Sequence, residues 1–159
     1  MENIRRRRGF SLIELLIVVA IILIIATSGI SLMNQQLMLT REMAAVREIN
    51  TIHQGQLQYY SQFGRFAGNL AELGPPASGP EGPAAASLIP ASLASGKKNG
   101  HIYVVTVTGA GYSINVTPDP FGVSGRRNFY SDQTGVVHEN WSTEPATQQS
   151  PEVAAQAPK

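Results

Sequence analysis

The residues with the most distinctive chemistry lie close together near the start of the chain. Four consecutive arginines come first: Arg5, Arg6, Arg7 and Arg8. Gly9 follows them, and an apolar run then begins that carries a single carboxylate, Glu14. Guanidinium groups resist transfer into a bilayer and hold their side of a span in the cytoplasm. A carboxylate within an apolar span is costly to bury, so Glu14 predicts a charged partner.

The apolar run predicts a helix that spans a membrane. From Phe10 to Met33, a helix rising ~1.5 Å per residue would extend ~36 Å, which is enough to cross the hydrocarbon core of a bilayer. We therefore expect residues 10–33 to form a membrane-spanning half of the helix, with the arginines on the cytoplasmic side.

The helix is predicted to continue beyond the membrane as an amphipathic half. No proline occurs from Asn34 to Phe63, and Gly64 provides a helix stop. Apolar residues recur there at steps typical of a helix with one face on a core: Leu39, Met43, Val46, Ile49, Leu57 and Tyr60. The charged residues between them, including Glu42 and Glu48, are expected to be solvated.

The rest of the chain predicts a small antiparallel sheet. Residues 74–100 are rich in Gly, Pro, Ala and Ser, which is typical of a surface loop. Alternating, β-branched segments within residues 101–141 predict two hairpins: His101–Thr108 with Tyr112–Thr117, and Asn128–Ser131 with Val136–His138. The fold class is therefore α+β, with the long helix packed on the sheet and residues 34–142 forming a globular head.

Composition sets further limits on this head. The chain has no cysteine, so no disulfide can stabilise it. The first nine residues hold four of the 12 basic and one of the 11 acidic residues, which leaves a formal charge of −2 on residues 10–159. This charge gives no support for nucleic-acid binding.

The last 17 residues are predicted to be a disordered tail. Residues 143–159 contain Val153 as their only large apolar side chain, so they cannot bury enough surface to fold.

No pattern of residues indicates catalysis. The three histidines, His53, His101 and His138, are far apart and lack the spacing of metal ligands. The sequence has no nucleophile elbow and no phosphate loop. Asp119 and Asp132 are weak calcium candidates, since aspartates in turns most often only form the turn. We therefore expect no catalytic residue, no cofactor and no metal.

The segment Gly9-Phe10-Ser11-Leu12-Ile13-Glu14, preceded by arginines, resembles the N-terminal motif of type IV pilins and their pseudopilin relatives. The resemblance implies that residues 1–9 are a leader, which a prepilin peptidase removes by cutting between Gly9 and Phe10. The same enzyme would methylate the new amine of Phe10. In this family the glutamate that corresponds to Glu14 serves filament assembly. A string from Phe129 to Val137 is also similar to the last hairpin of pilin-like proteins.

The resemblance also implies partners and a location. The partners would be identical subunits, the peptidase, an inner-membrane platform protein and an assembly ATPase. The subunit would lie in the bacterial inner membrane before assembly, with a single span and a cytoplasmic N-terminus. It would then form an extracellular pilus or a periplasmic pseudopilus.

Three alternatives stay open on the sequence. Pilins usually have a proline where this chain has Ser31, so a pseudopilin of a type II secretion system or a minor pilin also fits. A second class is a membrane-anchored periplasmic binding module that never polymerises. An ordinary secretory signal, cleaved near Thr27, would remove most of the apolar half of the helix from the mature protein.

Overall fold

The computed structural model describes residues 10–109 and 111–153, without the side chains of residues 26–32. The described part contains a long helix, α1 (Leu12–Phe63), and two short helices, α2 (Leu70–Leu73) and α3 (Ala91–Ala94). It also contains five strands: β1 (Lys97–Lys98), β2 (His101–Thr108), β3 (Gly111–Pro118), β4 (Asn128–Asp132) and β5 (Val137–Asn140). The predicted α+β class, a long N-terminal helix with an antiparallel sheet, is confirmed.

The chain divides into two compact units, Met1–Leu37 and Met38–Lys159. The first unit holds the N-terminal half of α1. The second holds the remainder of α1 together with the sheet, and we call it the head. Within the described residues, no helix has a stretch that is both long and apolar enough to cross a membrane. Because the side chains of residues 26–32 lie outside the description, the span at residues 10–33 stays a prediction.

The five strands form one sheet in the order β1-β2-β3-β4-β5, and every neighbouring pair is antiparallel. Alternate residues of β2, β3 and β4 point into the core, as the period of a strand requires. One row across the sheet pairs Tyr103 with Val116 and Val116 with Phe129, and all three side chains are buried. Both predicted hairpins are present, with β5 beginning at Val137 rather than at Val136.

The head part of α1 is amphipathic, but the buried face differs from the predicted one. The side chains buried along it follow steps of three and four positions: Glu42, Ala45, Ile49, Ile52, Gln56 and Tyr59. Leu39, Met43, Leu57 and Tyr60 of the predicted stripe are exposed instead. The prediction counted apolar residues only, whereas two core positions hold polar side chains that are hydrogen-bonded inside the head.

The end of α1 is fixed by one of these polar side chains. Gly64 has a positive φ of 68° and its amide donates to the carbonyl of Tyr60, which confirms the predicted helix stop. Beyond it, the Gln56 side chain accepts from the amide of Ala67 at 2.8 Å and donates to the carbonyl of Ala67 at 2.9 Å. The chain that leaves the helix is thereby held against the core.

Residues 143–153 differ from the expectation of a disordered tail. Ala146 is only 2 % exposed, and Val153 packs against the core cluster. Main-chain hydrogen bonds also join this segment to β5. The prediction relied on the lack of apolar residues, but main-chain pairing does not depend on apolar side chains. Residues 154–159 of the predicted tail lie outside the described residues.

Candidate functional site

The N-terminal half of α1 begins with the residues that carry the predicted chemistry. Phe10 precedes the helix, and the amide of Leu15 donates to the carbonyl of Ser11 at 3.2 Å to close the first turn. Glu14 lies in this first turn and is exposed. A carboxylate there is favoured by the positive end of the helix dipole. The fold therefore presents Glu14 at the beginning of α1, about one turn beyond Phe10.

The helix that follows Glu14 exposes apolar surface on all its sides. Large apolar side chains between Phe10 and Ile25 are 43–82 % exposed, including five consecutive ones from Ile21 to Ile25. Consecutive residues point in different directions around a helix, so this surface is a complete sleeve rather than a stripe. Large exposed apolar surfaces of this kind are typical of sites that contact other protein or a membrane.

Glu14 is the single charged residue between Phe10 and Met33. A carboxylate that enters an apolar environment requires a positive group or hydrogen-bond donors to offset its desolvation. The apolar segment itself contains no cationic side chain. A charged partner for Glu14 in that environment must therefore be something other than a side chain of this segment.

The structure places the other predicted residues as follows. Gly9 and the four arginines of the predicted leader, Arg5 to Arg8, lie outside the described residues. Asp119 forms an ion pair with Lys97, and Asp132 accepts hydrogen bonds from the amide and the hydroxyl of Thr134. These bonds from Thr134 lower the pKa of Asp132. Both aspartates thus have structural partners.

The two calcium candidates lie at opposite ends of β3. Asp132 is paired with Ser113 near the start of β3, and Asp119 follows Pro118 at its end. Five residues of strand separate these ends by roughly 16 Å, so the two carboxylates cannot bind one ion. Among the described residues, no group of three or more His, Cys, Asp or Glu side chains is arranged for a metal.

A buried charge cluster in the head was missed by sequence reasoning. Glu42 is only 2 % exposed, and its Oε2 accepts from Nε of Arg127 at 2.8 Å. Its Oε1 accepts from the amide of Arg126 at 2.6 Å. The Arg127 guanidinium also donates to Glu139 at 2.8 Å and lies over the ring of Trp141. These bonds connect α1 to β5 through the residue that precedes β4.

The spacing of Glu42 was a signal for this cluster. Glu42 lies three residues before Ala45 and seven before Ile49, so all three occupy the same face of α1. A glutamate in phase with a buried stripe indicates a buried ion pair. Its partner, however, is 85 residues away in sequence and could not be identified from the pattern.

A second polar group in the core contains a histidine and a serine. His53 Nδ1 lies 2.6 Å from the Tyr112 hydroxyl, and Nε2 lies 2.8 Å from Oγ of Ser131. The Ser131 hydroxyl donates to the carbonyl of Val136 at 2.7 Å, so Nε2 of His53 must donate and Nδ1 accepts from Tyr112. The serine is fully buried and its proton faces a main-chain carbonyl. This arrangement is structural, because a nucleophile needs exposure and a base that accepts its proton.

Burial shifts the titration of these groups. It lowers the pKa of His53, although the negative charge of Asp132 opposes the shift. It raises the pKa of Tyr112 to about 12. Unlike the partly buried His53, His101 is fully buried, and burial lowers its pKa despite the nearby carboxylate of Glu42. Burial therefore favours the neutral form of both histidines inside the folded head.

One comparison with known proteins bears on the N-terminal segment. Residues 4–30 match the model of a family described as the prokaryotic N-terminal methylation motif. No curated protein and no solved structure matches the chain. The matched residues include Gly9, Phe10 and Glu14, so the pattern identified in the sequence is confirmed as a recognised motif.

Proposed function

We propose that this chain, whose residues 4–30 carry the signature of type IV pilins and pseudopilins, is the structural subunit of a type IV pilus or a pilus-like filament. The signature points to a structural subunit rather than to an enzyme. The observation that carries the proposal is the apolar sleeve from Phe10 to Ile25, which directly follows the cleavage motif. Such a helix can be covered by lipid before assembly and by the same helix of other subunits afterwards.

Processing of the precursor is the first step of the proposed function. A prepilin peptidase would cut between Gly9 and Phe10, since a residue without a side chain lets the enzyme approach the backbone closely. The arginines of the leader would hold the cut site at the cytoplasmic surface. Cleavage creates a positive amine on Phe10, which the same enzyme would methylate.

Glu14 would then select the next subunit. Its carboxylate and the amine of Phe10 lie about one helical turn apart, so an axial shift between neighbouring helices can place one subunit's Glu14 beside the next subunit's amine. In the dry core of a filament, leaving either charge unpaired costs about 3–5 kcal/mol. Charge pairing would thus align each incoming subunit along the filament.

The proposed location follows from the same segment. The precursor would lie in the inner membrane with its N-terminus in the cytoplasm and its head on the other side. An inner-membrane platform protein and a cytoplasmic ATPase would drive its transfer from the membrane into the filament. The product would be an extracellular pilus, or a periplasmic pseudopilus if the chain serves secretion.

The processing step is tested by expressing the full chain together with a prepilin peptidase. Mass spectrometry should find a mature N-terminus at Phe10, methylated at its amine. Gly9→Val should leave the precursor uncut, while the smaller change Gly9→Ala should slow cleavage less. A mature N-terminus near Thr27 would instead establish ordinary signal cleavage and overturn the proposal.

The assembly step is tested with Glu14. Glu14→Ala and Glu14→Gln should insert in the membrane and be cut, yet give few or no filaments by electron microscopy. Glu81→Ala, which removes an exposed carboxylate of the head, is the matched control and should give normal filaments. Abundant filaments from Glu14→Ala would contradict the assigned role. Filaments sheared from the cell surface would favour a pilus, and periplasmic filaments would favour a pseudopilus.

A further inference from the structure

The two edges of the sheet in the head are protected in different ways. An exposed edge strand offers unpaired N–H and C=O groups to any other strand, which makes it a site of association. The β1 edge is two residues long, and both residues are lysines. Short length and positive charge discourage pairing there. The β5 edge is four residues long, and it includes the apolar side chain of Val137.

Residues 143–153 lie along the β5 edge, and we call them the cover. The amide of Glu139 donates to the carbonyl of Pro151, and the amide of Val153 donates to the carbonyl of Val137, both at 2.8 Å. Between these two bonds, His138 and Glu152 form an antiparallel bridge. The cover thus occupies the main-chain groups with which another strand would pair.

Side chains hold the cover in place at both of its ends. Nδ2 of Asn128, a buried residue of β4, donates to the carbonyls of Ser142 and Glu144 at 2.7 and 2.8 Å. Nδ1 of His138 lies 2.7 Å from the carbonyl of Ser150 and donates to it. Between these anchors, the side chain of Ala146 is buried. The contacts are specific, so the cover is part of the folded head.

The cover is itself a poor edge for a further strand. Pro151 has no N–H group and cannot donate to a neighbour. Glu152 is exposed and carries a charge at the centre of the bridge. Proline and charged residues are the features with which proteins block edge-to-edge pairing. We therefore expect no further strand to add to the sheet beyond the cover.

The cover also forms one wall of an apolar groove in the head. This groove has a volume of about 640 Å³, and its lining includes Met43 and Val46 of α1, Val137 of β5, and Val153 of the cover. Removal of the cover would expose Val46 and Val137, which are partly buried against the core. The uncovered edge would then combine free main-chain groups with an apolar surface beside them.

We propose that residues 143–153 keep the head from associating through β5, and that the uncovered edge pairs with β5 of a second copy as antiparallel strands. Two identical strands can pair in this way around a two-fold axis, and both copies then bury the same apolar residues. The inference concerns the head and does not depend on the role of Glu14. With the cover in place, subunits would contact one another through surfaces other than the β5 edge.

The test compares the full chain with a variant that lacks residues 143–159, both in the same detergent. We expect the deletion to raise the association constant at least about tenfold in analytical ultracentrifugation. A synthetic peptide of residues 143–159 should bind the deletion variant, reverse its association, and leave the full chain unaffected. A folded deletion variant that associates no more than the full chain would overturn the proposal, whether or not it binds the peptide.

If the deletion variant does not fold, a substitution in the full chain can test whether loosening the cover increases association. Val153→Pro removes the amide that donates to Val137, and Gln148→Ala is a matched control at an exposed position of the cover. Val153→Pro should speed hydrogen exchange of the Glu139 amide at least about tenfold and increase association. The amide of His138, which faces β4 by strand alternation, should be unchanged. Unchanged exchange at Glu139, or no rise in association, would also overturn the proposal.

Discussion

The two halves of α1 differ in which of their side chains are exposed and which are buried. From Phe10 to Ile25 the helix exposes large apolar side chains on all sides, with Glu14 as its single charged residue. From Glu42 to Tyr59 one narrow face is buried, and polar residues occupy part of that face. The first half leaves its apolar surface exposed, which the proposed function would cover with lipid or other subunits, and the second half is covered by its own head.

The two glutamates of these halves show what the difference means. The carboxylate of Glu42 is buried and is satisfied within the head by Arg127 and the amide of Arg126. The apolar segment around Glu14 contains no cationic residue that could satisfy a buried carboxylate. The pair of Glu42 thus supports the folded head, whereas the proposed function gives Glu14 a partner in another subunit and a part in assembly. We therefore expect substitution of Glu42 to lower the stability of the head, and substitution of Glu14 to reduce filament formation without affecting that stability.

The largest expected effect on folding is at Glu42. Glu42→Ala removes one member of a buried ion pair and should lower the free energy of unfolding of the head by about 3–5 kcal/mol. Glu14→Ala should leave that free energy unchanged. Denaturant unfolding of the detergent-solubilised chain, followed by circular dichroism, measures both. An equal loss of stability in the two variants would show that the comparison is wrong.

Substitutions of apolar residues in the two halves of α1 should also differ in their effect on the stability of the head. The larger of these effects should be slightly smaller than that of Glu42→Ala. Ile52 is fully buried in the head, so Ile52→Ala should lower the free energy of unfolding by about 2–5 kcal/mol. Ile17 is half exposed in the first half of α1, and Ile17→Ala should change the stability of the head by less than about 0.5 kcal/mol. The same unfolding measurement compares the two. A large loss from Ile17→Ala would mean that this segment supports the fold of the head.

A smaller effect is expected where the buried stripe is polar. Gln56→Leu leaves the amide and the carbonyl of Ala67 without their side-chain partner, which should cost about 1–3 kcal/mol. Gln54 is exposed on the same helix, and Gln54→Leu is the matched control that should change little. If both variants were equally stable, the Gln56 contacts would contribute nothing to the end of α1.

The smallest effect should come from pH. Burial lowers the pKa of both His53 and His101 below 6.5, so the unfolded chain binds more protons than the folded one just below that pH. The head should lose stability as pH falls through this window, by at most ~1.4 kcal/mol per pH unit for each histidine. His53→Gln should make the pH dependence of the melting temperature less steep. An unchanged slope would exclude His53 as a contributor.

Local features of the sequence were predicted better than contacts between distant segments. The N-terminal motif and the hairpins depend on neighbouring residues, and both are found as expected. The buried face of α1 was misassigned because Glu42 and Gln56 occupy core positions, and their partners Arg127 and Ala67 are visible only in three dimensions. The cover was missed for a related reason, since its main-chain bonds to β5 leave no signature in side-chain hydropathy.

The position of Trp141 gives the protein a built-in optical reporter. It is the only tryptophan of the chain, and it lies directly after β5, 62 % exposed, with the Arg127 guanidinium 5.1 Å from its ring centroid. Its indole N–H donates to Glu139, the residue whose amide is bound by the cover. Indole emission therefore comes from one known place, where the charge cluster, the sheet edge and the groove meet. Its wavelength and quenching by soluble agents can follow events at that junction without any added label.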